Sequence, residues 1–168
     1  MIELEKTFLA KDVPDLSRCT HKEIIDVYIP KNSLHPVLRI RKNGFKYEIT
    51  KKQPIAGDAS EQSEETIKLT KDEFDALCSV DGKQVRKIRY YYPYKGKTLE
   101  IDVFQDELKG LILVDAEFNS VEEKNSFEMP EFCIADVTNE EAIAGGMLCG
   151  KKLSDVLPYL EKYGLISD

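Results

Sequence analysis

From the N-terminus to about residue 118, apolar and charged side chains alternate with a period of two. That period is the signature of strands with one packed and one polar face. Residues 1–8 put Ile2, Leu4, Lys6 and Phe8 on one face and Glu3, Glu5 and Thr7 on the other. Residues 23–29 form a second strand ending at Pro30, and 37–42 a third, in which Arg39 and Arg41 oppose Leu38 and Ile40. Asn43-Gly44 is a strong hairpin signal, and 45–52 is the return strand, with Glu48, Thr50 and Lys52 sharing a face. Residues 64–69 add a strand of mixed polarity. Residues 84–92 set Lys87, Arg89 and Tyr91 against Ile88, Tyr90 and Tyr92; 98–104 set Glu100 and Asp102 against Leu99, Ile101 and Val103. Residues 111–118 set Asp115 and Glu117 against Ile112, Val114, Ala116 and Phe118.

The segments between and after these strands break the pattern. Residues 11–22 read as a loop or short helical connection, and 53–63, polar with Pro, Gly and Ser, as a mobile loop. Thr70-Lys71-Asp72-Glu73 is a capping box opening a short helix with a Phe74, Leu77 and Cys78 stripe. A helical turn is expected at 120–127, a helix at 139–148 and an amphipathic helix at 153–163 with Leu153, Val156, Leu157, Leu160 and Tyr163 inward. Gly145-Gly146 reads as a helix break, because no Lys-Ser/Thr follows to make a phosphate loop. Short turns between so many strands predict an α+β fold: a closed eight-stranded antiparallel β-barrel with a charged interior and peripheral helices.

At 168 residues the chain suits one domain, residues 1–168, with 42% hydrophobic content enough for a core. A net charge of -7 argues against general nucleic-acid or anionic-membrane binding. No apolar run is long enough to span a bilayer and no signal-peptide pattern is present, so a cytoplasmic protein, monomer or homodimer, is expected. Cys19, Cys78, Cys133 and Cys149 lie far apart without a Cys-x-x-Cys pair, and His21 and His35 are the only histidines. Zinc sites and Ser-His-Asp triads are therefore poor candidates, which leaves carboxylates, lysines and arginines to carry any chemistry.

Those groups recur in pairs on one face of a strand: Glu3/Glu5, Arg39/Arg41, Glu48/Lys52, Lys87/Arg89, Glu100/Asp102 and Asp115/Glu117. A single such strand would read as the wet side of a sheet. The whole set fits an inverted barrel, with charges lining the bore and apolar faces outside beneath the helices. Two carboxylates one pleat apart, with roots roughly 7 Å apart, can share one divalent cation. In such a bore arginine and lysine bind phosphate oxygens while the acid pairs hold Mg2+ or Mn2+.

Taken together, Glu3-x-Glu5, Arg39-x-Arg41, Lys52, Lys87-x-Arg89, Glu100-x-Asp102 and Asp115-x-Glu117 resemble the CYTH superfamily, the triphosphate tunnel metalloenzymes, over about residues 1–140. The resemblance implies a tunnel that binds a small-molecule triphosphate and hydrolyses it with a divalent metal. A class IV-type adenylyl cyclase and a non-catalytic polyphosphate or nucleotide binder are the alternatives. It further implies Glu3, Glu5 and Glu117 as metal ligands and Arg39, Arg41, Lys52, Lys87 and Arg89 as phosphate contacts. Glu100, Asp102 and Asp115, with Glu3 and Glu5, make up the catalytic carboxylates, placing metal, water or basic side chains. One position departs from the pattern. The family's first motif is usually Glu-x-Glu-x-Lys, whereas Thr7 stands here in the last place and Lys6, by alternation, points away from the acids.

Overall fold

The computed structural model describes residues 2–165, so Met1, expected in the first strand, and residues 166–168 lie outside it. Its strands are β1 (Ile2–Ala10), β2 (Thr20–Ile29), β3 (Leu38–Asn43), β4 (Lys46–Ile55), β5 (Asp58–Leu69), β6 (Lys83–Tyr94), β7 (Lys97–Phe104), β8 (Ile112–Phe118) and β9 (Cys133–Asp136). They lie in the order β5-β4-β3-β2-β6-β7-β8-β1-β9, and β5 also pairs with β1. That last pairing closes the first eight strands into an antiparallel barrel. β9, which the alternation did not disclose, continues along β1 beyond the place where β5 leaves it.

The 53–63 segment is the main correction to the expected elements. It is a hairpin, in which β4 runs on to Ile55, β5 starts at Asp58, and Ala56 and Gly57 turn the chain at φ 50° and 81°. Two left-handed residues in a two-residue loop match the strand twist. Lys95 and Gly96 do the same between β6 and β7, with φ 47° and 78°. The 11–22 connection ends sooner than expected, since β2 already begins at Thr20.

Three apolar clusters organise the packing. Two lie on the outer wall, as the inverted pattern requires. Helix α1 (Lys71–Cys78) lays Phe74 on Val27 and Ile40, and its capping box closes between Thr70 and Glu73. On the opposite flank, Phe8, Leu99, Ile101, Val114, Ala116 and Phe118 pack beneath Phe127, Phe132 and Cys133, which follow α2 (Val121–Ser126). The third cluster is inside the barrel, at one end. Leu9, Tyr28, Val85, Phe104 and Leu113 share the inner face with the charged pairs and meet Leu148, Val156 and Leu160 of the C-terminal segment.

The C-terminal helices therefore stop one end of the barrel, where the alternation had placed them over its outer wall. The segment 139–148 is also less regular than a single helix. A 3-10 turn over Glu141–Ile143 precedes a short α3 (Gly145–Leu148), and α4 (Leu153–Leu160) follows. Gly145 and Gly146 sit within α3 instead of breaking a helix. A Cβ on Gly145 would stand 2.0 Å from the Tyr28 hydroxyl, and one on Gly146 2.2 Å from the Pro36 carbonyl oxygen. Only glycine lets this helix come so close. Among the described residues no helix is long and apolar enough to cross a membrane.

Candidate active site: a charged bore closed at one end

Above the apolar stopper, every inner-facing position named from the sequence is brought into one bore. Register pairs Arg89 with Asp102, Glu100 with Asp115, and Glu5 with Glu117, so each pair projects to the same side of the sheet. Lys87, Arg89, Arg41 and Asp102 are each at most 8% exposed, although all are charged. Burial at that level is tolerated only where the charges compensate one another.

The compensation is specific. Asp102 accepts from Arg89 Nε and Nη2 at 2.7 Å each, and Lys87 Nζ also donates to it. Arg89 further reaches Glu100, and Asp115 Oδ2 at 3.5 Å. Burial alone would push the Asp102 carboxyl up, but Arg89 and Lys87 outweigh it and hold it far below the usual carboxylate range. For Lys87 burial wins, with help from the Arg89 and Arg41 charges, so its ammonium is lowered despite Asp102.

Strand β2 supplies a residue that the sequence reading did not single out. Asp26, 1% exposed, accepts from Arg41 Nε and Nη2 at 2.7 Å each. Burial favours its neutral form, but the Arg41 charge and fork win and bring it down to about 2. The signal was present, since an acid in the otherwise apolar run Ile24-Ile25-Asp26-Val27 is unusual in a buried strand. Unlike Glu3/Glu5 or Arg39/Arg41, Asp26 has no like-charged neighbour one pleat away.

The β1 side of the bore is arranged differently. Lys52 Nζ lies 2.6 Å from Glu3 Oε2 and 3.0 Å from Glu5 Oε2, with Glu64 at 4.0 Å. Gln62 Nε2 donates to Glu5 Oε1 at 2.6 Å. The 2.6 Å contact is an ion pair without hydrogen-bond alignment, so buried Glu3 Oε2 has no donor along its lone pairs. Burial raises Glu3, but Lys52 and Arg39 bring it below its ordinary value. Burial, together with the Asp115 and Glu3 charges, overcomes Lys52 at Glu5 and pushes it up to about 7. Glu117 is raised by burial and by Glu100 and Glu3, and Glu100 by burial and by Asp115 and Asp102 against Arg89.

Two further positions follow the strand alternation. Lys6 is on the outer face, in a polar groove with Lys124 and Lys162, and no bulge turns it inward. Thr7 faces the bore and its hydroxyl donates to Asp115 Oδ1 at 2.7 Å. Glu48 lies on the bore face of β4, paired across with Arg41.

No protein-family model matches the chain. An inorganic triphosphatase from Nitrosomonas europaea is 31% identical over 145 residues, covering 84% of this chain and 92% of the relative. The crystal structure of the inorganic triphosphatase NE1496 superposes with a TM-score of 0.64 at 25% identity, covering 88% of this chain and 93% of that one. A Bacillus halodurans protein provisionally described as an adenylate cyclase shares the fold at a TM-score of 0.55 and 17% identity, covering 73% and 83%. The inverted, charge-lined barrel and the relative matched over nearly all of its length show that the chain belongs to the CYTH superfamily.

Proposed function

We propose that this protein hydrolyses a triphosphate inside the bore, inorganic triphosphate or a small organic or nucleoside triphosphate, with Mg2+ or Mn2+ as cofactor. The observation that carries the reading is the convergence of Arg39, Arg41, Lys52, Lys87 and Arg89 in one bore whose β1 and β8 walls are acidic. A polyanion is the complement of such a belt. The same activity named for the Nitrosomonas relative supports it.

The residues fit a hard divalent cation. Glu3, Glu5 and Glu117 supply oxygen donors only, Glu5 faces Glu117 across β1 and β8, and Glu3 Oε2 lacks an aligned donor. The upward push on Glu5 and Glu117 marks a spot short of positive charge. Among the described residues no three carboxylates yet stand around one point, and Lys52 is the cation between Glu3 and Glu5. Glu3, Glu5 and Glu117 would hold such a dication, which would offset their charge and supply Lewis-acid polarisation of the phosphate oxygens.

The remaining work falls to the chain itself. Because the apolar stopper closes one end, the phosphate chain enters from the mouth, terminal phosphate first, and any organic part stays outside. Arg39, Arg41, Lys87 and Arg89 hold the phosphoryl oxygens. Water attacks the terminal phosphorus in line, the bond to the bridging oxygen breaks, and its electron pair leaves with the diphosphate portion. The water's proton passes to a carboxylate; the raised Glu100 suits that role, while Asp102, committed to Lys87 and Arg89, acts as a positioning residue. Asp115 lies beside Arg89 and Thr7. Free thiols at all four cysteines suit a reducing, cytoplasmic setting.

The test is phosphate release from inorganic triphosphate and from ATP with Mg2+, Mn2+ or a chelator, with chromatography for cyclic AMP. Dication-dependent release without cyclic AMP is expected; cyclic AMP from ATP without phosphate release overturns the reading in favour of a cyclase. Binding without release leaves a non-catalytic binder. Thr7 favours that second reading, because it offers Asp115 a hydroxyl where the family pattern has an ammonium.

A further inference from the structure

We infer that Asp26 is a positioning residue, which fixes the Arg41 guanidinium for the phosphate chain; the inference rests on the triphosphate reading. Asp26 is the one carboxylate on the inner face of β2 and, at 1% exposure, it is shielded from the open bore behind Arg41. Its two oxygens receive a side-on fork from Arg41 Nε and Nη2. A guanidinium has five N–H groups in one rigid plane. The fork uses two and thereby orients the other three, which remain available for phosphate oxygens.

Arg39 shows what an arginine two residues away looks like without this arrangement. It has no carboxylate partner among the described residues, and its Nε is buried without a hydrogen bond. Tyr28 is its polar neighbour, and the Arg39 charge acts on both Tyr28 and Asp26. So of two arginines on the same face of β3, Arg41 is clamped by a two-pronged carboxylate fork, whereas Arg39 has only Tyr28 beside it and acts on Glu3 through its charge.

Keeping a carboxylate so near a polyanion site costs electrostatic attraction, and that gives the inference a test by sign. If Asp26 contributed only charge, Asp26→Asn would remove a repulsion and tighten triphosphate binding. If it positions Arg41, the same change loosens the guanidinium and slows turnover, since small misplacements of a phosphate clamp carry large rate costs.

The experiment measures kcat and KM for inorganic triphosphate with Mg2+, plus calorimetric binding of inorganic triphosphate, for wild type, Asp26→Asn, Arg41→Met and the double variant. The expected result for Asp26→Asn is a kcat lower by about 10- to 100-fold and a raised KM. In the double variant Asp26→Asn should add less than about threefold to the effect of Arg41→Met, because a residue acting through Arg41 has nothing left to position. The comparison of Arg41→Met with the double variant does not use Asp26→Asn alone, and the double variant carries no unpaired buried charge at this site, so that arm stays readable even if Asp26→Asn alone folds poorly. Unchanged kcat with tighter binding in Asp26→Asn, or additive effects in the cycle, overturns the inference. A wild type that neither binds nor hydrolyses triphosphate overturns the functional reading, and the inference with it.

Discussion

The two halves of the bore handle charge in opposite ways. On the β2–β3 and β6–β7 side, Asp26 and Asp102 are nearly inaccessible, each gripped by a guanidinium fork, and both carboxyls are held down. On the β1–β8 side, Glu5 and Glu117 are pushed up, and Lys52 is the cation set between Glu3 and Glu5. The first half is internally complete, a rigid framework of aimed donors. The second carries more acid than Lys52 offsets, and on the proposed reading a divalent cation would balance it. On the proposed reading the two halves would play different parts, the first offering donors that do not reorganise and the second acids that a cation would offset.

The framework half should break hardest. Asp102→Ala leaves Lys87 and Arg89 buried without their shared acid, and removing one partner from a buried ionic cluster costs about 3–5 kcal/mol. Denaturant unfolding measures it, and a loss below about 1 kcal/mol would mean the cluster is not tightly coupled. Glu5→Gln should do the reverse. Its stability should hold, because the change removes a carboxylate that burial already disfavours, while metal-dependent phosphate release falls by about 100-fold or more. Full retained activity would remove β1 from the site.

A third prediction uses acid. Asp26 has its folded pKa depressed to about 2, so its contribution to stability is present above its ordinary value of 3.8 and is lost as pH falls through about 2. The size is on the order of 2 kcal/mol. Unfolding curves of wild type and Asp26→Asn should therefore converge across that window, and parallel curves would show that Arg41 does not hold Asp26 ionised. The smallest effect is expected from Thr7→Val, which deletes one hydroxyl hydrogen bond to Asp115 and should cost about 1 kcal/mol of stability. A much larger fall in phosphate release than in stability would give Thr7 a part in the chemistry.

Legibility from sequence followed the same division. The pairs Lys87/Arg89 and Glu100/Asp102 could be read because each stands out against aliphatic neighbours on the other face. β5 was read only from residue 64 because Asp58–Leu69 is polar on both sides of much of its length. A strand lining a charged bore lacks the apolar alternation by which strands are recognised. The two-residue turn at Ala56-Gly57 is short enough to be hidden in such a stretch.

The chain's order of residues determined which side chains share a face, because a strand's alternation is local geometry. That was enough to place acids and bases in a common bore and to put Lys6 outside it. Tertiary structure decided three things: that β5 closes on β1, that the C-terminal helices stop the barrel's end instead of covering its side, and that Arg41 belongs to Asp26 while Lys87 and Arg89 share Asp102. Each depends on distances between strands remote in the chain, and on which buried charges can satisfy one another there, quantities that no local pattern encodes.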